Sequence, residues 1–184
     1  MTPQQQARQW LYSHLILDTE TTGLGEDAEI VEICMIDCYG FIMLNTLIKP
    51  TKPIPAEATA IHGITNEMVA HAPTWKDVHG AVSSLFFQYG VVIYNADYDT
   101  RLINQTASLN GLGEDGFCSF LGEYGSCAML AYAEFYGQKS ERGGYKWQKL
   151  TNAAQQQNIT IEGTPHRALS DCLTTLGLIK AMAK

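Results

Sequence analysis

The segment Leu15-Ile16-Leu17-Asp18-Thr19-Glu20-Thr21-Thr22-Gly23 sets an apolar run, readable as a buried strand, directly against two acids. On a strand of period 2, Asp18 and Glu20 leave the same face and Thr19 leaves the other. The two acids stand roughly 7 Å apart by strand rise. Like charges at the edge of a low-dielectric core repel and resist desolvation unless donors or a cation compensate them. A hard divalent ion such as Mg²⁺ or Mn²⁺ is one compensator, because it prefers carboxylate oxygens. The other reading is a pair of acids capping the turn that Thr21-Thr22-Gly23 would suit. On this stretch alone the two readings stand level.

With 184 residues, 46% of them hydrophobic, and no low-complexity tract, the chain predicts a single domain over residues 1–184 with a sizeable core. Residues 1–12 read as an N-terminal helical extension, in which Ala7, Trp10 and Leu11 share a face. The polar, uncharged start lacks the pattern of a signal peptide, and Glu, Gly or Asp interrupts every apolar run. The expectation is a cytoplasmic protein with no membrane association. Cys34, Cys38, Cys118, Cys127 and Cys172 are odd in number and form no C-x-x-C pair. They predict neither a disulfide framework nor a zinc site, but small buried hydrophobes in a reducing compartment. The net charge of −7 argues against a broad basic face that wraps a duplex. It leaves room for an acidic site that turns positive once its ions bind.

Two β-rich runs, 29–36 and 40–48, flank the turn signal Asp37-Cys38-Tyr39-Gly40 and predict an antiparallel extension of the first strand. Three prolines make 49–55 an exposed, extended connector. Thr65 and Thr74 read as N-caps, the second opening a helix from Trp75 to about Gln88 that Gly90 closes. Val91-Val92-Ile93-Tyr94 reads as a central parallel strand, followed by a helix from Asp99 to about Asn110. Residues 111–126 are glycine-rich and ambiguous. Helices are then predicted over 129–136, 146–157 and 166–184, the last burying Leu169, Cys172, Leu173, Leu176 and Ile179. Strands first, then strand and helix alternating, give an α/β fold: a mixed sheet with helices on its faces.

Sites in open α/β sheets form at the carboxyl ends of the strands, so Asp18, Glu20 and Asp99 can be neighbours. The last helix adds Asp171 and His166. Residues five apart on a helix point about 140° away from each other, so His166 is expected in the preceding loop or first turn while Asp171 is fixed.

Four motifs now carry a resemblance: Leu17-Asp18-Thr19-Glu20-Thr21-Thr22-Gly23-Leu24, Ile61-His62-Gly63-Ile64-Thr65, Asn95-Ala96-Asp97-Tyr98-Asp99, and His166-Arg167-Ala168-Leu169-Ser170-Asp171. In this order they resemble the DEDDh family of 3′-to-5′ exonucleases, which includes the proofreading epsilon subunit of bacterial DNA polymerase III. The resemblance implies a ribonuclease H-like fold, a mixed five-stranded sheet flanked by helices, and a phosphodiesterase that uses two divalent cations, Mg²⁺ or Mn²⁺. Carried over by motif position, Asp18, Glu20, Asp99 and Asp171 are metal ligands, Asp18 bridges the ions, and His166 is the general base. Thr21, Thr22, Gly23 and Leu24, the loop of His62 and Ile64, and Asn95 and Tyr98 are the implied substrate contacts. Leu24 and Ile64 would pack on the terminal base, against an equal reading of both as ordinary core residues. Many members carry His-Asn and Phe where this chain has Tyr94-Asn95 and Tyr98, changes that leave every ligand in place.

The implied substrate is the 3′ end of a single-stranded or frayed nucleic acid, with DNA favoured and nucleoside 5′-monophosphates as products. An RNA-directed exoribonuclease and a non-catalytic nucleic-acid-binding module are the alternatives; all five catalytic positions are filled, which speaks against the second. Lys139, Arg142, Lys146 and Lys149 share an eleven-residue window with Tyr145 and Trp147, either a grip on single strands or a solvated loop. Arg167 could touch phosphate, and His14, His71 and His79 read as ordinary surface or loop residues. Only thirteen residues follow Asp171, so no polymerase-binding tail is seen and a free-standing enzyme, alone or as a homodimer, is expected.

Overall fold

The computed structural model describes residues 1–113 and 125–184. Helix α1 (Pro3–Ser13) leads directly into β1 (His14–Thr21), followed by β2 (Ile30–Ile36) and β3 (Ile42–Leu47). Two short helices, α2 (Ala56–His62) and α3 (Asn66–Val69), precede α4 (Trp75–Gln88), β4 (Gly90–Ile93) and α5 (Ala96–Leu109). Strand β5 (Gly125–Cys127) then runs into α6 (Ala128–Tyr136), α7 (Leu150–Gln156) and α8 (Ala168–Met182). The sheet has five strands in the order β3-β2-β1-β4-β5; the β1–β2 and β2–β3 pairs are antiparallel, and the β1–β4 and β4–β5 pairs are parallel.

Alternation along β1 builds two apolar layers. Leu15 and Leu17 join a cluster with Val82 and Phe86 of α4 and Leu102 and Ile103 of α5. Ile16 joins the opposite cluster with Trp10 of α1, Tyr132 of α6 and Cys172 and Ile179 of α8. β1 is therefore buried on both faces, and its carboxyl end meets solvent only where the acids begin.

Several boundaries differ from the sequence reading for local reasons. Helix α5 starts at Ala96, because the amides of Tyr98 and Asp99 bond back to the Asn95 carbonyl, and this puts Asp99 one turn inside the helix. Gly90 does not close α4. It is the first residue of β4, opposite His14, whose imidazole would stand 2.5 Å from any Cβ there. Helix α7 starts only at Leu150, because Lys146 donates to the Gln138 carbonyl and holds the preceding residues in a loop. Helix α8 starts at Ala168, which leaves His166 outside it. The caps at Thr65 and Thr74 form as expected, and the prolines' connector is exposed except for half-buried Pro50 and buried Ile54. His79 is buried against Trp75 rather than on the surface. Cys34 and Cys172 are buried, Cys38 and Cys127 only partly, and Cys118 and most of the ambiguous segment lie outside the described residues. Among the described residues, no helix is long and apolar enough to cross a membrane.

Candidate active site

Because Ile16 faces the α8 layer, Asp18 and Glu20 emerge on that face as well, and Thr19 emerges on the α5 face. Helix α8 brings Asp171 to them: Asp18, Glu20 and Asp171 each offer a carboxylate oxygen within 4.8 Å of the others. Asp99 reaches the strand end from the opposite face. It is 4% exposed and accepts a 2.7 Å hydrogen bond from Thr19 Oγ1. Three of the four expected ligands therefore converge, and the fourth stands beside them, held by the residue between the two strand acids.

The electrostatics record this crowding. Burial, and then the charges of Asp99, Asp171 and Glu20, raise the Asp18 carboxyl well above its ordinary value. Burial and the Asp171 and Glu32 charges push Glu20 up to about 8, and burial pushes Asp99 up to about 7 against the opposing Thr19 hydrogen bond. Burial also raises Asp171. A carboxyl raised on folding binds protons more tightly in the folded state. Its stabilising contribution is complete below the unfolded values of 3.8 to 4.5 and is lost as pH climbs through about 7 for Asp99 and about 8 for Glu20. Metal-free protein is thus expected to lose thermal stability steadily from pH 4.5 to 8, as melting curves in EDTA across that range would show. A flat profile would contradict the clustering.

His166 is exposed and takes the left-handed backbone conformation, φ 60°, directly before α8. It lines one cleft with Asp171, and its charge lowers the Asp171 pKa against the effect of burial. Its neighbour Arg167 does not reach for phosphate. The guanidinium forks onto buried Glu32, with Nη2 2.6 Å from Oε1 and Nε 3.0 Å from Oε2, while the Ala168 amide donates to the same carboxylate at 2.9 Å. Glu32 lies opposite Glu20 in the β1–β2 register, where like charges are destabilising, and Arg167 supplies the compensation. One acid in the apolar run of β2 was the available signal for this partner. Glu32→Ala is expected to cost about 2 kcal/mol in urea unfolding. That is below the usual cost of breaking a buried pair, because the Arg167 side chain keeps 36% exposure.

A second assembly fixes the loop after β1. Tyr98 Oη donates to the Gly23 carbonyl at 3.1 Å and lies 2.8 Å from Thr21 Oγ1. One and two turns further along α5, Arg101 donates to the Leu24 carbonyl at 3.3 Å, and Gln105 to those of Gly25 and Ala28 at 3.0 and 2.6 Å. Thr22 Oγ1 accepts from the Glu29 amide. The loop therefore presents Leu24, 79% exposed, on a pinned backbone. The α5 residues Arg101 and Gln105 were not singled out from sequence, since helical spacing alone does not reveal what a polar face holds.

His62 is buried and locks the neighbouring loop: Nδ1 accepts from the Ile64 amide at 3.0 Å, which leaves Nε2–H to donate to the Thr21 carbonyl at 3.2 Å. Ile64 is fully buried in a third cluster with Val31, Ile54, Ala58 and Val69. Its side chain has no surface for a base, so the base contact expected of it is corrected to a core role. Asn95 is exposed at the N-terminus of α5, its side chain making no capping bond. Tyr94 is buried and donates to the Gln148 carbonyl at 2.7 Å.

The exonuclease family model RNase T matches residues 15–179, a span that holds every residue of this site. The chain belongs to this exonuclease family. Exonuclease CP81 of Escherichia phage 186, described as uncharacterized, is 66% identical over 184 residues, covering 100% of this chain and 95% of that protein. Exodeoxyribonuclease 10 of Escherichia coli K12 is 31% identical over 170 residues, 89% of this chain and 66% of that enzyme. The solved structure of exonuclease X in complex with 5′-overhanging duplex DNA superposes with a TM-score of 0.65 at 29% identity, covering 92% of this chain and 90% of that one. Matches to DNA polymerase III epsilon subunits span about half of those proteins' length. The DEDDh resemblance and the ribonuclease H-like sheet read from the sequence therefore both hold for this exonuclease.

Proposed function

We propose that this exonuclease is a single domain over residues 1–184 that hydrolyses phosphodiester bonds from the 3′ end of single-stranded or frayed DNA, releasing nucleoside 5′-monophosphates. The observation that carries the reading is the convergence of Asp18, Glu20 and Asp171 within 4.8 Å beside the cleft of His166. This donor set is all hard carboxylate oxygen, and its proton affinities are raised by burial first and then by like charge, so it fits divalent Mg²⁺ or Mn²⁺. Asp18, Glu20, Asp171 and Asp99 would hold two such ions, with Asp18 the shared ligand that the DEDDh resemblance implies. When bound, such ions would supply stabilisation of both the attacking and the leaving oxygen of an in-line displacement.

The chain's own residues supply the rest. The His166 imidazole, exposed to the cleft, takes the proton of the attacking water. Glu32, through Arg167 and the Ala168 amide, sets where the His166 loop joins α8. The pinned backbone of Thr21 to Leu24 forms the floor for the terminal nucleotide, and Leu24 offers an apolar contact that tolerates any base. Exodeoxyribonuclease 10, by its name, and exonuclease X, by its complex, support DNA as the polymer.

The test is incubation of 5′-labelled single-stranded DNA, single-stranded RNA and mismatched duplex with Mg²⁺ or Mn²⁺, products being resolved over time. A ladder shrinking from the 3′ end, fastest on single-stranded DNA and absent in EDTA, is the expected result. Immediate release of the labelled 5′ nucleotide would overturn the polarity, and full activity in EDTA the metal dependence.

A further inference from the structure

Beside the carboxylates, on the side away from Leu24, the His166 cleft opens into a cavity of about 560 Å³, part of whose lining the catalytic roles leave unused. Its lining includes His166 and Asp171 together with Tyr94, Asn95, Trp147 and Lys149. Its size falls within the range of small-ligand pockets, roughly 300–1,000 Å³. The Leu24 loop is tied to α5, in the layer on one face of the sheet, whereas Trp147 shares its cavity with Met129, Leu150 and Asp171 of the layer on the other. The acids at the end of β1 lie between them.

Trp147 is 64% exposed, an expensive placement for an indole, and the chain around it is built to hold it there. The next residue, Gln148, is buried: its amide nitrogen donates to Gln138 Oε1 and the Lys146 carbonyl, its own Oε1 accepts from Gln156, and its carbonyl accepts from Tyr94. Before Trp147, residues 138–146 fold back on themselves, with Lys139 bridged to Tyr145 and its ammonium 3.8 Å from that ring's centre. The indole thus projects from a loop anchored on both sides into a cleft that also contains the proposed base. Lys149, two residues on, is exposed at the same cleft.

We infer that Trp147 is the stacking platform for the base of the penultimate nucleotide, the one on the 5′ side of the scissile phosphate, with Lys149 close to the phosphate that follows it along the strand. This assignment rests on the 3′-to-5′ reading above, which puts the terminal nucleotide over Thr21 to Leu24. Stacking on an indole is tolerant of base identity but requires the base to be unpaired. The exonuclease therefore reads two unpaired nucleotides at the 3′ end and selects for single-strandedness rather than sequence.

The experiment compares two 5′-labelled single-stranded oligonucleotides, one intact and one with an abasic tetrahydrofuran residue at the penultimate position. Removal of the terminal nucleotide is measured for wild type, Trp147→Ala and Trp147→Phe. Wild type should favour the intact strand by roughly tenfold in kcat/KM, mostly through KM. Trp147→Ala should cut both strands at the same, lower efficiency, and Trp147→Phe should keep most of the preference. An indifferent wild type, or a Trp147→Ala enzyme that still prefers the intact strand, would overturn the subsite. Because the readout is a ratio between substrates, a general loss of folding in one variant does not imitate it. Failure of the wild type to remove the terminal nucleotide from either strand would instead strike the 3′-to-5′ reading and the subsite with it.

Discussion

Asp18→Asn is expected to abolish turnover, by on the order of 10³-fold or more, since losing even an outer partner of a metal ligand costs about 10–100-fold. The same substitution should stabilise the metal-free protein. Asp18 is raised by burial and by the charges of Asp99, Asp171 and Glu20, so deleting its charge relieves each of those repulsions. Wild type should gain stability from Mn²⁺ by about 2.7 kcal/mol at a hundredfold excess over Kd. For a chain of this length that corresponds to a rise in Tm of roughly 5–10 °C. The variant should melt above wild type in EDTA and gain little further from Mn²⁺. Melting curves with and without the ion, set beside the rate on a labelled strand, check all three statements. An unaltered metal response in Asp18→Asn would remove Asp18 from the ligand set.

His166→Ala separates chemistry from binding. General-base catalysis contributes about 10²–10⁴-fold, and a loss of that size in kcat is expected. His166 is exposed and lies outside α8, so the fold and the Mn²⁺-dependent rise in Tm should be unchanged. KM should move little, because a proton acceptor acts in the transition state rather than in binding. Retained turnover in the variant would transfer the proton to another group.

The residues themselves show how much of this could be read from the sequence. The period-2 rule placed Asp18 and Glu20 together and Thr19 opposite, and the structure keeps that arrangement down to the bond from Thr19 to Asp99. The helical period put His166 in the loop or the first turn of the Asp171 helix; the helix starts two residues later than the predicted 166, and His166 lies in the loop. What the sequence could not show was tertiary partnership. Ile64 sits in a motif beside His62, and only the packing of Val31 and Ile54 against it reveals a core residue. Arg167 looked free for phosphate until Glu32, 135 residues away in sequence, closed on it. The start of α5 was missed by three residues because the acids at 97 and 99 signal a helix's first turn without saying which residue begins it.

Helix α5 carries Asp99 on one turn and grips the Leu24 loop through Tyr98, Arg101 and Gln105. A helix that carries both contacts would tie two equilibria together: a nucleotide that lifts or settles the loop would act on the element that holds the Asp99 carboxylate. Any such coupling is reciprocal, so the factor by which a bound 3′ end tightens the hold on metal equals the factor by which metal tightens the hold on the 3′ end. Through such coupling the bound 3′ end would itself help to complete the metal centre.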